Sequence, residues 1–253
     1  MKTSKKMAVM ASVLMLSFTV FMAGCSKDDD NGNGKGNPQA HLCETCPSAP
    51  EALAEHDSSS KGIYKGVVIG SSGTIKFNVA NNNSDITAIL TLDGETYTLT
   101  SDVTWENGQS YDAWFTGEIN GQMAAVNFYV KANGTEPQIL SSNIPGHPSA
   151  VFTLVKETSD ALIEGYEGTF SKTNSESGTF NILVSRVLGK WGGISRENGT
   201  DDIDNISGTI SADGTLKDLK HNYTVGKLTG ETISGTFTEN NGIKVTISAY
   251  RTL

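Results

Sequence analysis

From Gly62 onward, apolar and polar residues alternate in short runs broken by Asp-Gly, Asn-Gly and Ser-Gly pairs. Alternation puts successive side chains on opposite faces of a strand, and the Asp-Gly and Asn-Gly breaks accept the positive φ of tight hairpin turns. A two-residue loop at Asp93-Gly94 sets Leu92 against Glu95, Leu90 against Tyr97 and Ala88 against Leu99. Thr91 then meets Thr96, and Ile89 meets Thr98. A loop at Asn120-Gly121 sets Phe115 against Val126, Ala113 against Phe128 and Tyr111 against Val130. Its polar face pairs Asp112 with Tyr129, Trp114 with Asn127 and Thr116 with Ala125. Both hairpins thus gather an apolar row on one side, which specifies register wherever one face is buried. Asp213-Gly214 is expected to be a third such turn. The runs Ile206–Ile210 and Ile233–Phe237 each carry a central glycine, which marks a bulge or a bend where a sheet curls.

The pattern occurs twice. Tyr64-Lys65-Gly66 followed by Ser72-Gly73-Thr74-Ile75-Lys76-Phe77 corresponds to Tyr166-Glu167-Gly168 followed by Ser177-Gly178-Thr179-Phe180-Asn181-Ile182. Each copy ends on an alternating run, Val151–Lys156 and Ile243–Arg251. A period of roughly 100 residues is far longer than a solenoid repeat and points to duplicated domains. About seven or eight short strands per copy, with one apolar face, need closure or a second sheet to bury that face. The expected fold is therefore all-β: two tandem antiparallel meander barrels or barrel-like sandwiches, over 62–157 and 163–253, after a disordered tether. The strand count and hairpin order resemble small up-and-down, lipocalin-like barrels. No lipocalin motif accompanies the likeness, and it transfers no ligand.

The N-terminus has a different pattern. Lys2, Lys5 and Lys6 precede an uncharged run from Met7 to Met22, too short for a comfortable membrane span and shaped like a signal peptide over 1–24. Met22-Ala23-Gly24-Cys25 resembles the lipobox of bacterial lipoproteins, with Met where that family usually has Leu. The resemblance implies that Cys25 becomes the first mature residue and is acylated. Two or more acyl chains give stable anchoring, at about 0.8 kcal/mol per buried CH₂. Ser26-Lys27-Asp28-Asp29-Asp30 resembles the surface-export signal of Bacteroidota lipoproteins; a solvated acidic tether is the alternative. The implied location is the outer membrane, lipid-anchored and facing the cell surface, with residues 25–61 as anchor and flexible tether.

Charge narrows the partners. The chain carries a formal −9, and removal of the leader makes it three charges more negative. An acidic chain without a Lys/Arg cluster gives phosphate backbones little to bind, so nucleic acid is excluded as a partner. Cys43 and Cys46, in an oxidising envelope, are expected to form a local disulfide. A metal site drawing on His41 and His56 is the weaker alternative, because a lone CxxC lacks the second pair of a zinc site.

No catalytic motif stands out, and His147 and His221 are expected in exposed loops. Asp201, Asp202 and Asp204 lack the spacing of an EF-hand and are expected to form a solvated acidic turn. No enzyme activity and no cofactor are expected. The candidate site is the polar face of the Asn120-Gly121 hairpin, where Trp114 and Tyr129 offer rings and Asp112 and Asn127 offer hydrogen bonds, as a sugar or peptide would use. Trp105 is expected in the core, and Trp191, flanked by glycine, on the surface as a weaker contact. The expected role is a non-catalytic surface binding module for a glycan, a peptide or another envelope protein. The alternatives are a carrier of a small apolar ligand inside one barrel and a purely structural surface protein.

Overall fold

The computed structural model describes residues 43–82 and 85–253. The lipobox, Cys25, the stretch after it and His41 lie outside the described residues. Among the described residues, sixteen strands form two eight-stranded antiparallel sheets in tandem. The first comprises β1 (Gly62–Ile69), β2 (Gly73–Val79), β3 (Thr87–Leu92), β4 (Glu95–Thr100), β5 (Tyr111–Ile119), β6 (Gln122–Val130), β7 (Gln138–Asn143) and β8 (Val151–Lys156). They form a meander whose last strand returns beside β1, leaving β7 and β8 as the two edges. The second comprises β9 (Glu164–Lys172), β10 (Ser177–Ser185), β11 (Lys190–Glu197), β12 (Ile203–Ile210), β13 (Thr215–Asp218), β14 (Thr224–Thr229), β15 (Thr232–Thr238) and β16 (Lys244–Arg251). Here β15 pairs with β16 and β16 with β9, so the barrel is closed.

The two hairpins take the expected registers, with Leu90 opposite Tyr97 and Trp114 opposite Asn127. Asp93, Gly94, Asn120 and Gly121 all have positive φ, as a type I′ turn demands. Asp213-Gly214 departs from that expectation: only Gly214 has positive φ, and the turn runs from Ser211 to Gly214. Asp213 imposes the longer turn by accepting from the Ser211 and Thr215 hydroxyls and from the Thr215 backbone N–H.

The duplication extends to register. Gly66 sits opposite Ile75 and Leu154, and Gly168 opposite Phe180 and Ala249; Tyr64 faces Lys156 as Tyr166 faces Arg251. The two sheets share one compact unit. Every residue of β1 is buried, because one face looks into its own core and the other meets the second barrel. Val67, Ile163 and Leu183 form a small apolar cluster there, and the Asn181 amide donates to the Val68 carbonyl.

The flexible tether expected over 25–61 is corrected from Cys43 on. That segment is bound to both sheets, because it satisfies polar groups that strand ends leave open. The Cys43 N–H donates to the Glu231 carboxylate, and the Pro47 carbonyl accepts from Arg251. Further along, His56 and Ser60 are buried. The Lys156 ammonium donates to the carbonyls of His56, Ser59 and Lys61, and the Trp105 indole N–H donates to Ser60 Oγ. Trp105, expected in the core, is accordingly half-buried against the first core.

Candidate functional site

The two interiors differ in how they are filled. In the first sheet Phe77, Phe115 and Phe128 meet at the centre, with ring centroids 4.4 Å apart for Phe77–Phe128 and 4.9 Å for Phe77–Phe115. Tyr64 closes on Phe128 at 5.0 Å. Burial of each such ring contributes roughly 1.5–3 kcal/mol, and together they leave a packed interior.

In the second barrel, Ile182 occupies the position that corresponds to Phe77, so a smaller aliphatic side chain stands where the first sheet has a ring. Ile182 is part of the wall of a cavity of about 550 Å³. Its wall is apolar: Phe170, Phe180, Ile182, Trp191, Leu216, Val225, Ile233, Phe237 and Ile247. Phe170, Ile206, Val225, Phe237 and Ile247 point inward yet are only half-buried, as side chains facing an open space must be.

One end of the barrel is closed. Trp191 forms its floor, its ring over Gly208 and its indole N–H donating to the Thr209 carbonyl at 3.2 Å. A Cβ on Gly208 would stand 1.9 Å from the Lys217 carbonyl oxygen and 2.4 Å from that ring, which is why glycine is required there. Trp191 was expected on the surface and is corrected to the core, because the glycines around it admit the ring rather than uncover it. Outside the closed end, Arg251 pairs with Glu164 and Glu231, each at 3.3 Å, and Arg186 pairs with Glu164 at 2.8 Å. The Cys43–Cys46 disulfide is formed and docks at this end through Glu231.

The other end is the mouth. Inward rows run Tyr166-Gly168-Phe170-Lys172 on β9, Trp191-Gly193-Ser195-Glu197 on β11 and Ile233-Gly235-Phe237 on β15, continued by Glu239 just past its end. Each is apolar at depth and ends in a charge at the rim, as do Ile206-Asp204 on β12 and Leu216-Asp218 on β13. The Lys172 ammonium lies 2.9 Å from Glu176 and 3.9 Å from both Glu197 and Glu239, with the Phe170 ring centroid at 5.8 Å. Its hydrogen bond to Glu176 outweighs desolvation and, with Glu239 and Glu197 adding, holds the ammonium above the ordinary lysine pKa. Across the mouth, His221 stacks on Tyr223 at 5.3 Å, and Tyr223 stacks on Phe237 at 5.7 Å. Asp218 lies 3.2 Å from His221 Nδ1. His221 was expected in a plain exposed loop; it does sit in a loop, as part of the rim of the cavity.

The four residues singled out on the first sheet share one outward face, as expected. Trp114 is 47% exposed, whereas Asn127 is only 9% exposed and its amide donates to Asp112 at 2.9 Å. Tyr129 is half-buried. Asp112 and Asn127 therefore spend part of their hydrogen-bonding capacity on each other, and the chief contact surface left is the Trp114 ring.

His147 meets Ser71 and Asp93 in a grouping that resembles a hydrolytic triad by composition alone. Both Ser71 Oγ and Asp93 Oδ2 approach the same nitrogen, Nδ1, at 2.5 and 3.8 Å. A relay needs the serine and the carboxylate on opposite ring nitrogens, so the geometry does not activate Ser71.

No family model, no curated protein and no solved structure matches the chain. Fold and cavity together still define a class: a tandem antiparallel β protein in which one barrel-like sheet is filled and the closed barrel that repeats it is hollow. The cavity walls were not singled out from sequence, though the signal was present in inward rows that pass from apolar to charged along a single strand.

Proposed function

We propose that this protein is a non-catalytic envelope binding module, held at the outer membrane by acyl chains on Cys25, whose ligand site is the cavity of the second barrel. Its ligand is a small molecule with an apolar body. The observation that carries this reading is the apolar space of about 550 Å³ opening at one end of a closed barrel. That volume falls within the range of roughly 300–1,000 Å³ typical of small-molecule sites, whose walls are mostly apolar with a few polar groups.

The outer rows support a barrel bathed in water rather than one spanning lipid. Ser234, Thr236 and Thr238 on β15, and Lys244, Thr246 and Ser248 on β16, are exposed where a membrane barrel carries an apolar band. Attachment then falls to the lipid on Cys25, and Cys43 docks at the closed end, away from the mouth.

The test is binding of the neutral dye Nile red, with organic extraction and mass spectrometry of the purified protein. Dye fluorescence should rise on binding to the wild type. It should be lost in Val225→Trp and Ile247→Trp, which fill the space from half-buried wall positions, while thermal unfolding stays cooperative. A wild type that neither binds the dye nor yields an extracted molecule would overturn the reading.

A further inference from the structure

The rim of the cavity carries information that its walls do not. Inward-facing charges at the ends of the strands are Lys172, Glu197, Asp204, Asp218 and Glu239, so acids outnumber the base around the opening. Lys220 and His221 add positive and titratable groups on one side only, on the turn that joins β13 to β14.

Lys172 shows what such a rim holds. Its ammonium sits among Glu176, Glu197 and Glu239 and lies 5.8 Å from the centroid of the Phe170 ring. The chain's own side chain thus places an ammonium at the entrance, near an aromatic ring of the wall and among carboxylates. Only Glu176 is close enough to accept a hydrogen bond from it. Glu239 also accepts from the Asn241 amide at 3.1 Å, and both Glu197 and Glu239, at 3.9 Å from the ammonium, retain acceptor capacity for a further donor.

We infer that the ligand of the second barrel is a cationic amphiphile, an apolar body bearing a protonated amine, with its head received by Glu197 and Glu239 beside Lys172. This rests on the cavity being a binding site, as proposed above. A carboxylate-headed molecule of the same length would put its charge among four acids, against which stand only Lys220 and Lys172, the latter already bonded to Glu176, and is selected against, since like charges across a site cost more than a missing contact.

The experiment displaces Nile red from the full mature chain with dodecylamine, dodecanol and dodecanoate. Dodecylamine should compete at least about tenfold more strongly than dodecanoate, a difference of about 1.4 kcal/mol. The double variant Glu197→Gln/Glu239→Gln, isosteric and half-exposed, should bring the two within about threefold, a difference of roughly 0.7 kcal/mol. Lys172→Met removes the resident ammonium and should strengthen dodecylamine binding while leaving dodecanol unchanged. Equal or tighter binding of dodecanoate by the wild type, or an amine preference that survives the double variant, overturns the inference and leaves the cavity reading standing. Failure of Nile red itself to bind removes the cavity reading, and this inference with it.

Discussion

Replacing Glu157 by glutamine removes the principal countercharge of an ammonium that has no access to water. Lys65 Nζ lies 2.6 Å from Glu157 Oε2, and both side chains have 0% exposure. Glu157 also accepts the Glu51 N–H at 2.7 Å and the Ile163 N–H at 3.0 Å, so all three of its contacts are donors. A glutamine keeps the shape but turns one oxygen into an N–H₂, setting donor against donor on one side of the group. Breaking a buried pair by removing one partner costs about 3–5 kcal/mol. Glu51 provides partial relief, its Oε2 lying 3.5 Å from Lys65, but its other oxygen is held by Lys76 at 2.8 Å.

The expected loss for Glu157→Gln is therefore about 3 kcal/mol, or roughly 10 °C in Tm for a body of this size. Urea unfolding followed by tryptophan fluorescence measures it. Lys65→Met/Glu157→Gln should recover part of the loss, because the stranded ammonium is then gone. The site ties β1 of the first sheet to the connection entering the second, so the single variant should also separate the unfolding of the two sheets into distinct steps. A Glu157→Gln protein within about 1 kcal/mol of wild type, or strictly additive double-variant losses, would refute the account.

Three further outcomes are expected. Burial pushes the Tyr166 phenol up to about 12, with Glu164 adding and Arg186 opposing. Both states are protonated below pH 10; above it the unfolded chain ionises first. Stability is therefore fully present at neutral pH and falls between pH 10 and 12 by about 3 kcal/mol. Urea midpoints of wild type and Tyr166→Phe should move apart in that window, and a constant difference would contradict it. Trp114→Ala with Tyr129→Ala should leave Nile red binding unchanged and abolish any binding seen on a glycan array, since those rings lie on the outside of the other sheet; an array signal indifferent to both variants discards that face as a contact. Cys25→Ser should lose palmitate labelling and leave the membrane fraction, and identical fractionation would remove the anchor.

What the chain alone determined is what depends on neighbours in sequence. Alternation and Asp-Gly or Asn-Gly turns specify hairpins, since a slip of one residue would send Leu90, Phe115 and Phe128 to the solvent side. The repeated Tyr-x-Gly and Ser-Gly-Thr segments likewise specified two equivalent sheets, down to Gly66 and Gly168 facing matching partners. Tertiary structure decided what depends on sums over distant strands. Whether an interior is filled is a balance of side-chain volumes from eight strands: three phenylalanines meet in the first sheet, and Ile182 stands at the position of Phe77 in the second. The direction of Trp191 depended on Gly208, which is neighbouring only across the ladder, and the fixing of the segment after Cys43 depended on Arg251, Glu231 and Lys156 at the far ends of later strands. The charged mouth, too, exists only because barrel closure brings Lys172, Glu197 and Glu239 to one rim.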